Sequence, residues 1–415
     1  MNSGFRRVSA VMAGLVLSVS IALAGWEQLT SGTTADLYSV HFPQGTQVGY
    51  VVGDSGTILK TTDGGTTWSM GSPGTDKLLH AVYFLNDSNG FAVGAGGTVI
   101  RSGQGGAEWT TMAVTDTDMF NYVQFPQNSQ IGYIGVHPVA GGGKVLRTTD
   151  GGDTWASIAV GSPTDTSISV GMATDLIGVA VGSNGFVYGT TDGFGTGAIQ
   201  GPQTTADLIA VAFSAADKNK GYLIGNDSTQ GIIRYTDDGG AELWDSVTVT
   251  NPVVTALYGV DIPASNIAYF CGTDGYIGKT RSPTHVERTD VPSGVTATLY
   301  DLCFPNGADT GFVVGAHGVI LRTYNGGDYG AIAETETPAA DWSGIRIVSN
   351  PSRYGITLHA DVDVDVVVFD AVGRAVASRA LTRGLNFLPL SKAGVYMVRL
   401  TTEGCSMTQK LVVEH

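Results

Sequence analysis

The chain is poor in charge, in cysteine and in helical pattern. Lys, Arg, Asp and Glu make up 14% of its 415 residues, too few to solvate long exposed helices. No amphipathic helical periodicity follows residue 24. Basic residues are scarcer than acidic ones, 22 against 37, which excludes a general nucleic-acid binder. Three cysteines, Cys271, Cys303 and Cys405, do not make a disulfide scaffold and have no zinc spacing. Cys271 and Cys303 fall in neighbouring repeats; two buried free thiols are expected there rather than a bridge. No apolar run beyond the first 24 residues is long enough to span a bilayer. What the chain has in excess is glycine, 59 residues without a three-residue period, which means many tight turns and not collagen.

Residues 1–24 stand apart. Arg6 and Arg7 precede an apolar run from Val11 to Leu23, and Ala22-Leu23-Ala24 supplies small residues for cleavage. This reads as a secretory signal peptide. Its removal leaves 20 basic and 37 acidic residues, a net charge of −17, and no transmembrane segment.

From residue 37 onward the sequence repeats. Each unit has an alternating strand, a second strand with Gly-Tyr or Gly-Phe, a third strand and a turn: LYSVHF, VGYVVG, TILKT and TTDGGTTW in the first. The second strands recur as GFAVG (90–94), GYIGV (132–136), LIGVAVG (176–182), GYLIG (221–225), AYFCG (268–272) and GFVVG (311–315), 41 to 47 residues apart. Seven units of four short strands predict a seven-bladed β-propeller, in which radial closure protects the strand edges. Trp26-Glu27-Gln28-Leu29 resembles a fourth strand placed ahead of the first unit, and the seventh unit ends weakly at Asp328-Tyr329-Gly330. The N-terminal strand is therefore expected to complete the seventh blade.

The turn of units one and three reads Thr-x-Asp-x-Gly-x-x-Trp. Asp63 and Asp150 suit backbone N–H groups of their own turn. Gly65 and Gly152 supply a positive φ, and Trp68 and Trp155 cover the turn. The pattern decays elsewhere: Gln104 replaces the acid in unit two and Asn325 in unit seven. Unit four keeps Asp192 but has Phe194 for glycine. Unit five, with Asp238, slips by one residue, and unit six has lost the motif. A turn scaffold survives such changes; a catalytic or metal site does not. The glycines join two strands and open no helix, so they are not a phosphate loop. No catalytic residue, metal ligand or cofactor is assigned.

One column is chemically distinctive. After the apolar pair of the third strand stand Lys60, Arg101, Arg147, Gly189, Arg234, Lys279 and Arg322. In a closed ring these cations form a basic annulus, a candidate contact for a partner protein or an anionic polysaccharide. The bland alternative has each cation paired with an acid or stacked on an aromatic ring.

The turn resembles the Asp-box, or BNR repeat, of sialidases. The whole unit GYVVGDSGTILKTTDGGTTW resembles the photosystem II stability and assembly factor propellers, over residues 26–335. That resemblance implies a non-enzymatic binding or assembly role and an arginine patch that meets partners, which Arg101, Arg147, Arg234 and Arg322 match. A sialidase-type glycoside hydrolase is the lesser alternative, because its arginine triad and tyrosine–glutamate pair have no counterparts here. After a linker (336–340), Asn350-Pro351, the segment Val368 to Arg374, Gly394 to Val398 and Lys410 to Val413 resemble a type IX secretion sorting domain, type A. That resemblance implies the type IX machinery as a partner, export through the periplasm, and a small β-sandwich over residues 341–415. The acids Asp361, Asp363 and Asp365 alternate onto one strand face, expected to be solvated. The expected organisation is signal peptide 1–24, propeller 25–335, linker and sandwich. The architecture is all-β.

Overall fold

The computed structural model describes residues 25–139, 142–161, 168–200, 204–241, 244–250, 256–283, 285–288 and 293–327. Toward the C-terminus it describes 345–347, 352–353, 355–361, 363–369, 375–390, 394–402 and 405–414. The leader and the linker lie outside these residues.

Seven antiparallel sheets follow one another around a ring, as the repeats predict. Blade one is built from Leu37–His41, Gly49–Gly53, Ile58–Thr61 and Ser69–Met70, paired in that order from the inner strand outward. Each second strand has five consecutive buried residues, as GYVVG has in blade one, because both of its faces pack on neighbouring blades. The buried clusters accordingly run across blade boundaries: Phe42, Val51 and Leu59 of blade one pack with Phe312, Val314 and Ile320 of blade seven.

The register refines the sequence reading in two places. In blade four the second strand is Gly178–Gly182, so Leu176 and Ile177 belong to the preceding turn. Blade six has a fifth strand, Thr248–Thr250, which runs parallel to the outer strand His285–Arg288.

Blade seven closes the ring as expected. Glu27–Leu29 pairs antiparallel with Ile320–Thr323, with Glu27 opposite Arg322, and becomes the outer strand of a sheet otherwise made from residues 299–323. Trp26 meets Phe304 edge to face at 6.2 Å. Arg322 is only 6% exposed, and its Nη2 donates to Glu27 Oε2 at 3.1 Å. The two ends of the propeller are thus joined by strand pairing and by a buried cation's carboxylate partner.

The C-terminal strands form a three-stranded and a five-stranded sheet. They share a core of Ile356, Leu358, Val364, Val366, Val368, Leu388, Tyr396, Val398 and Leu400, with no propeller residue in the cluster. Asp361, Asp363 and Asp365 are exposed, and Asp363 Oδ1 accepts the Arg383 N–H at 3.1 Å. Among the described residues, no helix is long and apolar enough to cross a membrane.

Deleting residues 25–30 removes the closing strand and strands Arg322 without its carboxylate. Breaking a buried pair costs several kcal/mol. Because Glu27 is half exposed, we expect a loss of at least about 2 kcal/mol for the deletion and about 1 kcal/mol for Glu27→Gln alone. Thermal melts of the two variants beside the parent measure both.

Candidate functional site

The repeated turn is organised by a hydroxyl more than by its acid. In box one, Thr61 Oγ1 donates to Asp63 Oδ1 (2.8 Å) and accepts the Gly65 N–H (2.9 Å). Asp63 then accepts the Thr67 N–H at 2.9 Å and the Thr67 hydroxyl at 2.7 Å. Box three repeats this with Thr148, Asp150, Gly152 and Thr154. In box four Asp192 binds Thr196 the same way, and Phe194 takes the glycine position at φ +69°. In box five Asp238 accepts instead from the Gly240 and Ala241 N–H groups. Box seven keeps the Thr323–Asn325 bond. In box two the Ser102 hydroxyl serves alone, accepting the N–H groups of Gln104 and Gly106. The constant element is a buried Thr or Ser accepting from the residue four places on. Sequence reasoning centred on the aspartate and passed over it, although the Thr/Ser column is visible in the sequence.

The box also does more than turn the chain. Gly65 lies flat against the Phe312 ring of the preceding blade, where any Cβ would collide. Gly152 lies in the same way on Phe91, and Gly106 on Tyr50. An aromatic residue at the end of the next inner strand packs on the same ring: Phe42 stacks on Phe312 at 4.4 Å, Phe84 on Tyr50 at 3.5 Å, Phe125 on Phe91 at 5.1 Å and Phe304 on Tyr269 at 3.9 Å. Trp68 and Trp155 approach edge-on at 6.4 and 6.2 Å from Phe312 and Phe91. Each box is a clamp that one blade closes on its predecessor.

The cation column lies in this clamp. Strand register places Lys60 opposite Tyr50, Arg101 opposite Phe91, Arg147 opposite Tyr133, Lys279 opposite Tyr269 and Arg322 opposite Phe312. The first four stand over those rings at 5.4 to 5.9 Å, and Arg322 lies 4.7 Å from Tyr324. Their heads reach toward the next blade's box: Arg101 pairs with Asp153 at 2.6 Å, and Arg322 donates to Thr66 at 3.2 Å. Arg234 is the exception. Blade five has one extra residue, so Tyr235 pairs with Tyr222 at the column's level and Arg234 pairs with Leu223. Arg234 Nη1 instead donates to Ser246 Oγ at 2.6 Å. Where the column has Gly189, its partner is Val179, not an aromatic ring. Blade four thus lacks both cation and ring, while blade five keeps a ring, Tyr222, without the cation.

A second polar layer lines the axis. Asp301 of blade seven accepts the Val40 N–H of blade one at 3.0 Å, and Asp261 of blade six accepts the Phe304 N–H of blade seven at 2.7 Å. Burial pushes their carboxyls up, to about 7 and about 6, against these hydrogen bonds; repulsion from Asp261 adds to the rise at Asp301. His41 stacks on Tyr83 at 4.4 Å, and burial holds it down at about 4. Cys271 and Cys303 are free thiols, both pushed up by burial.

Residues 72–198 match the family model for the photosynthesis system II assembly factor YCF48. Residues 347–414 match the secretion system C-terminal sorting domain. The sorting domain marks the chain for secretion, through the periplasm to the cell surface or the extracellular space. Solved structures agree on the fold. YCF48 bound to D1 peptide is 18% identical, with a TM-score of 0.57 over 72% of this chain and 97% of that one. YCF48 from Cyanidioschyzon merolae is 19% identical, with a TM-score of 0.59 over 72% and 99%. No curated protein matches the chain.

Acid affects the two layers with opposite sign. Hydrogen bonds from Thr67 and Thr154 hold Asp63 and Asp150 near 2, below the ordinary 3.8. Their stabilisation is present above that value and is lost as pH falls through 2. Asp63→Ala and Asp150→Ala therefore lower the melting temperature at pH 7, additively because they sit in different blades, and the deficit shrinks toward pH 2. Asp261 and Asp301 hold protons that the unfolded chain has released, so they destabilise as pH rises from about 4 to about 7. His41 has the opposing slope over part of this range, so the comparison is between variants. Asp301→Asn gains on the parent as pH rises through that window, and melting curves from pH 3 to 8 test it.

Proposed function

We propose that the chain is a non-enzymatic binding or scaffold protein, delivered by type IX secretion to the cell surface or the extracellular space. The observation that carries this reading is the pairing of a closed seven-bladed platform with a sorting domain at the other end of the chain. The repeated polar groups are engaged in holding the platform together. Box acids accept N–H groups of their own turns, four column cations stand over the ring opposite them, and Arg322 reaches Tyr324, Thr66 and Glu27. The contacts support a stapling role for Lys60, Arg101, Arg147, Lys279 and Arg322. Partner binding by the half-exposed members is a separate proposal, tested with the same variants. An assembly-chaperone role is the second reading; a YCF48 of similar fold is solved with a bound peptide.

Two measurements test the reading. Removal of residues 341–415 is expected to leave a folded propeller in the periplasm, melting like the same domain in the full chain, since the two cores share no residue. Its normal arrival at the surface or in the medium overturns the sorting role. The isolated propeller is then used to capture partners from outer-membrane and culture fractions. Replacing Arg101, Arg147 and Arg322 with Gln lowers the melting temperature if the cations staple blades; weaker capture at unchanged stability assigns them to the partner instead.

A further inference from the structure

The inner strands carry a feature that the repeat pattern conceals. In six blades a β-bulge interrupts the pairing of the inner with the second strand, one residue after the inner strand's first buried side chain. The unpaired residues are Tyr38, His80, Asn121, Ile209, Tyr258 and Tyr300. Blade four has no bulge. A bulge leaves its extra residue out of the ladder and re-aims the side chain. Here it brings these residues together at one mouth of the axis, all six half-buried. Tyr38 stacks on His80 at 5.3 Å and 6°. It meets Tyr300 at 5.0 Å, and Tyr300 meets Tyr258 at 5.6 Å. Four blades thus contribute one continuous aromatic crescent.

Acids dominate the polar rim of the crescent, beside the exposed imidazole of His317, which lies 3.9 Å from Asp36. The Tyr38 hydroxyl faces the Asp54 carboxylate, and the Tyr300 hydroxyl faces that of Asp36; each acid raises its phenol's pKa, after burial. His80 Nδ1 lies 3.1 Å from the Asn121 carbonyl. Asp274 stands exposed on the corresponding turn of blade six. Nearby cations are already engaged: Lys144 with Asp116 and Asp118, and Lys77 with the Gly96 carbonyl at 3.3 Å. The phenols face carboxylates, Asp36 accepts one N–H, from His317 at 2.8 Å, and keeps further lone pairs, and the rings keep their faces. Such a surface accepts hydrogen bonds and has few to give. A sugar, which carries both donors and acceptors, is met only halfway. A guanidinium carries five donors, no acceptor and a plane that lies on an aromatic face.

We propose that this mouth binds arginine-bearing peptide segments, with the guanidinium on the Tyr258–Tyr300–Tyr38 crescent and its N–H groups directed at Asp36 and Asp54. This deepens the reading of the propeller as a binding platform by naming the face and the ligand chemistry. It puts that face at the opposite end of the blades from the boxes and the cation column. The charge of the exported chain, near −17, favours the same ligand sign.

The test uses the full chain and a capped Gly-Arg-Gly-Arg-Gly peptide, followed by calorimetry at 0.15 M salt. The control peptide has citrulline for arginine, nearly the same shape without charge. We expect saturable binding of the arginine peptide and at least about tenfold weaker binding of the citrulline peptide. Tyr38→Leu and, separately, Asp54→Asn weaken binding about tenfold. Asp87→Asn, which makes the same charge change in a turn at the far end of blade two, leaves it unchanged. Melting curves accompany every variant, and Asp54→Asn, at a half-buried turn position, keeps the test valid if Tyr38→Leu unfolds. Equal binding of the two peptides, or equal weakening by Asp87→Asn and Asp54→Asn, overturns the site. So does displacement of the arginine peptide by cellohexaose. Partner capture that survives Asp54→Asn rejects this mouth while leaving the platform reading in place.

Discussion

The ring depends on one repeated contact: a flat glycine turn of one blade laid on an aromatic ring of the blade before it. Phe312, Tyr50 and Phe91 each meet such a turn and also stack on an aromatic ring at the end of the following blade's inner strand. Glycine is required there for two reasons at once. The turn needs a positive φ, +80° at Gly65, and the ring leaves no room for a Cβ. Aromatic pairs in this geometry add to their burial through favourable quadrupole contacts. Blades that lack the ring show what it contributes: blade four presents Val179, and the box of blade five then rests on an aliphatic side chain.

The cations follow from that contact. A Lys or Arg from the adjacent strand stands over that ring with its head at the next box. Arg322 is the extreme case, buried and tied to the N-terminal strand. The same residue type therefore closes the circle and joins ordinary blades. At the axis, carboxylates take over the linking task. Asp301 and Asp261 accept N–H groups of the following blade, and burial raises their proton affinity. The blades are thus joined twice, by an outer layer of rings and glycines and an inner layer of hydrogen bonds. The end of the barrel away from the boxes is left with aromatic side chains and acids.

Much of this was legible in the chain. Strand alternation, unit length and the count of seven gave the propeller, and the displaced Trp26–Leu29 strand gave its closure. Asp63 and Asp150 accept from Thr67 and Thr154, partners only four residues away and so within reach of a reading of the local sequence. Two things were harder to read. Arg234 falls in line with the other cations by its distance from an apolar pair, yet one extra residue in blade five puts Tyr235 at that level. The bulged residues Tyr38, His80, Tyr258 and Tyr300 occupy positions that strict alternation assigns to one face, and a bulge leaves no mark in hydrophobic pattern.

Composition, period and local turn chemistry by themselves determined the blades, their number, the boxes and the exported two-part organisation, because each rests on contacts within a unit or on a motif read in order. Tertiary structure alone decided which blade each box clamps, where the cations point, and that bulged aromatic residues from four blades meet at one mouth. Those outcomes depend on side chains tens to hundreds of residues apart, such as Arg322 and Glu27, brought together only when the ring closes.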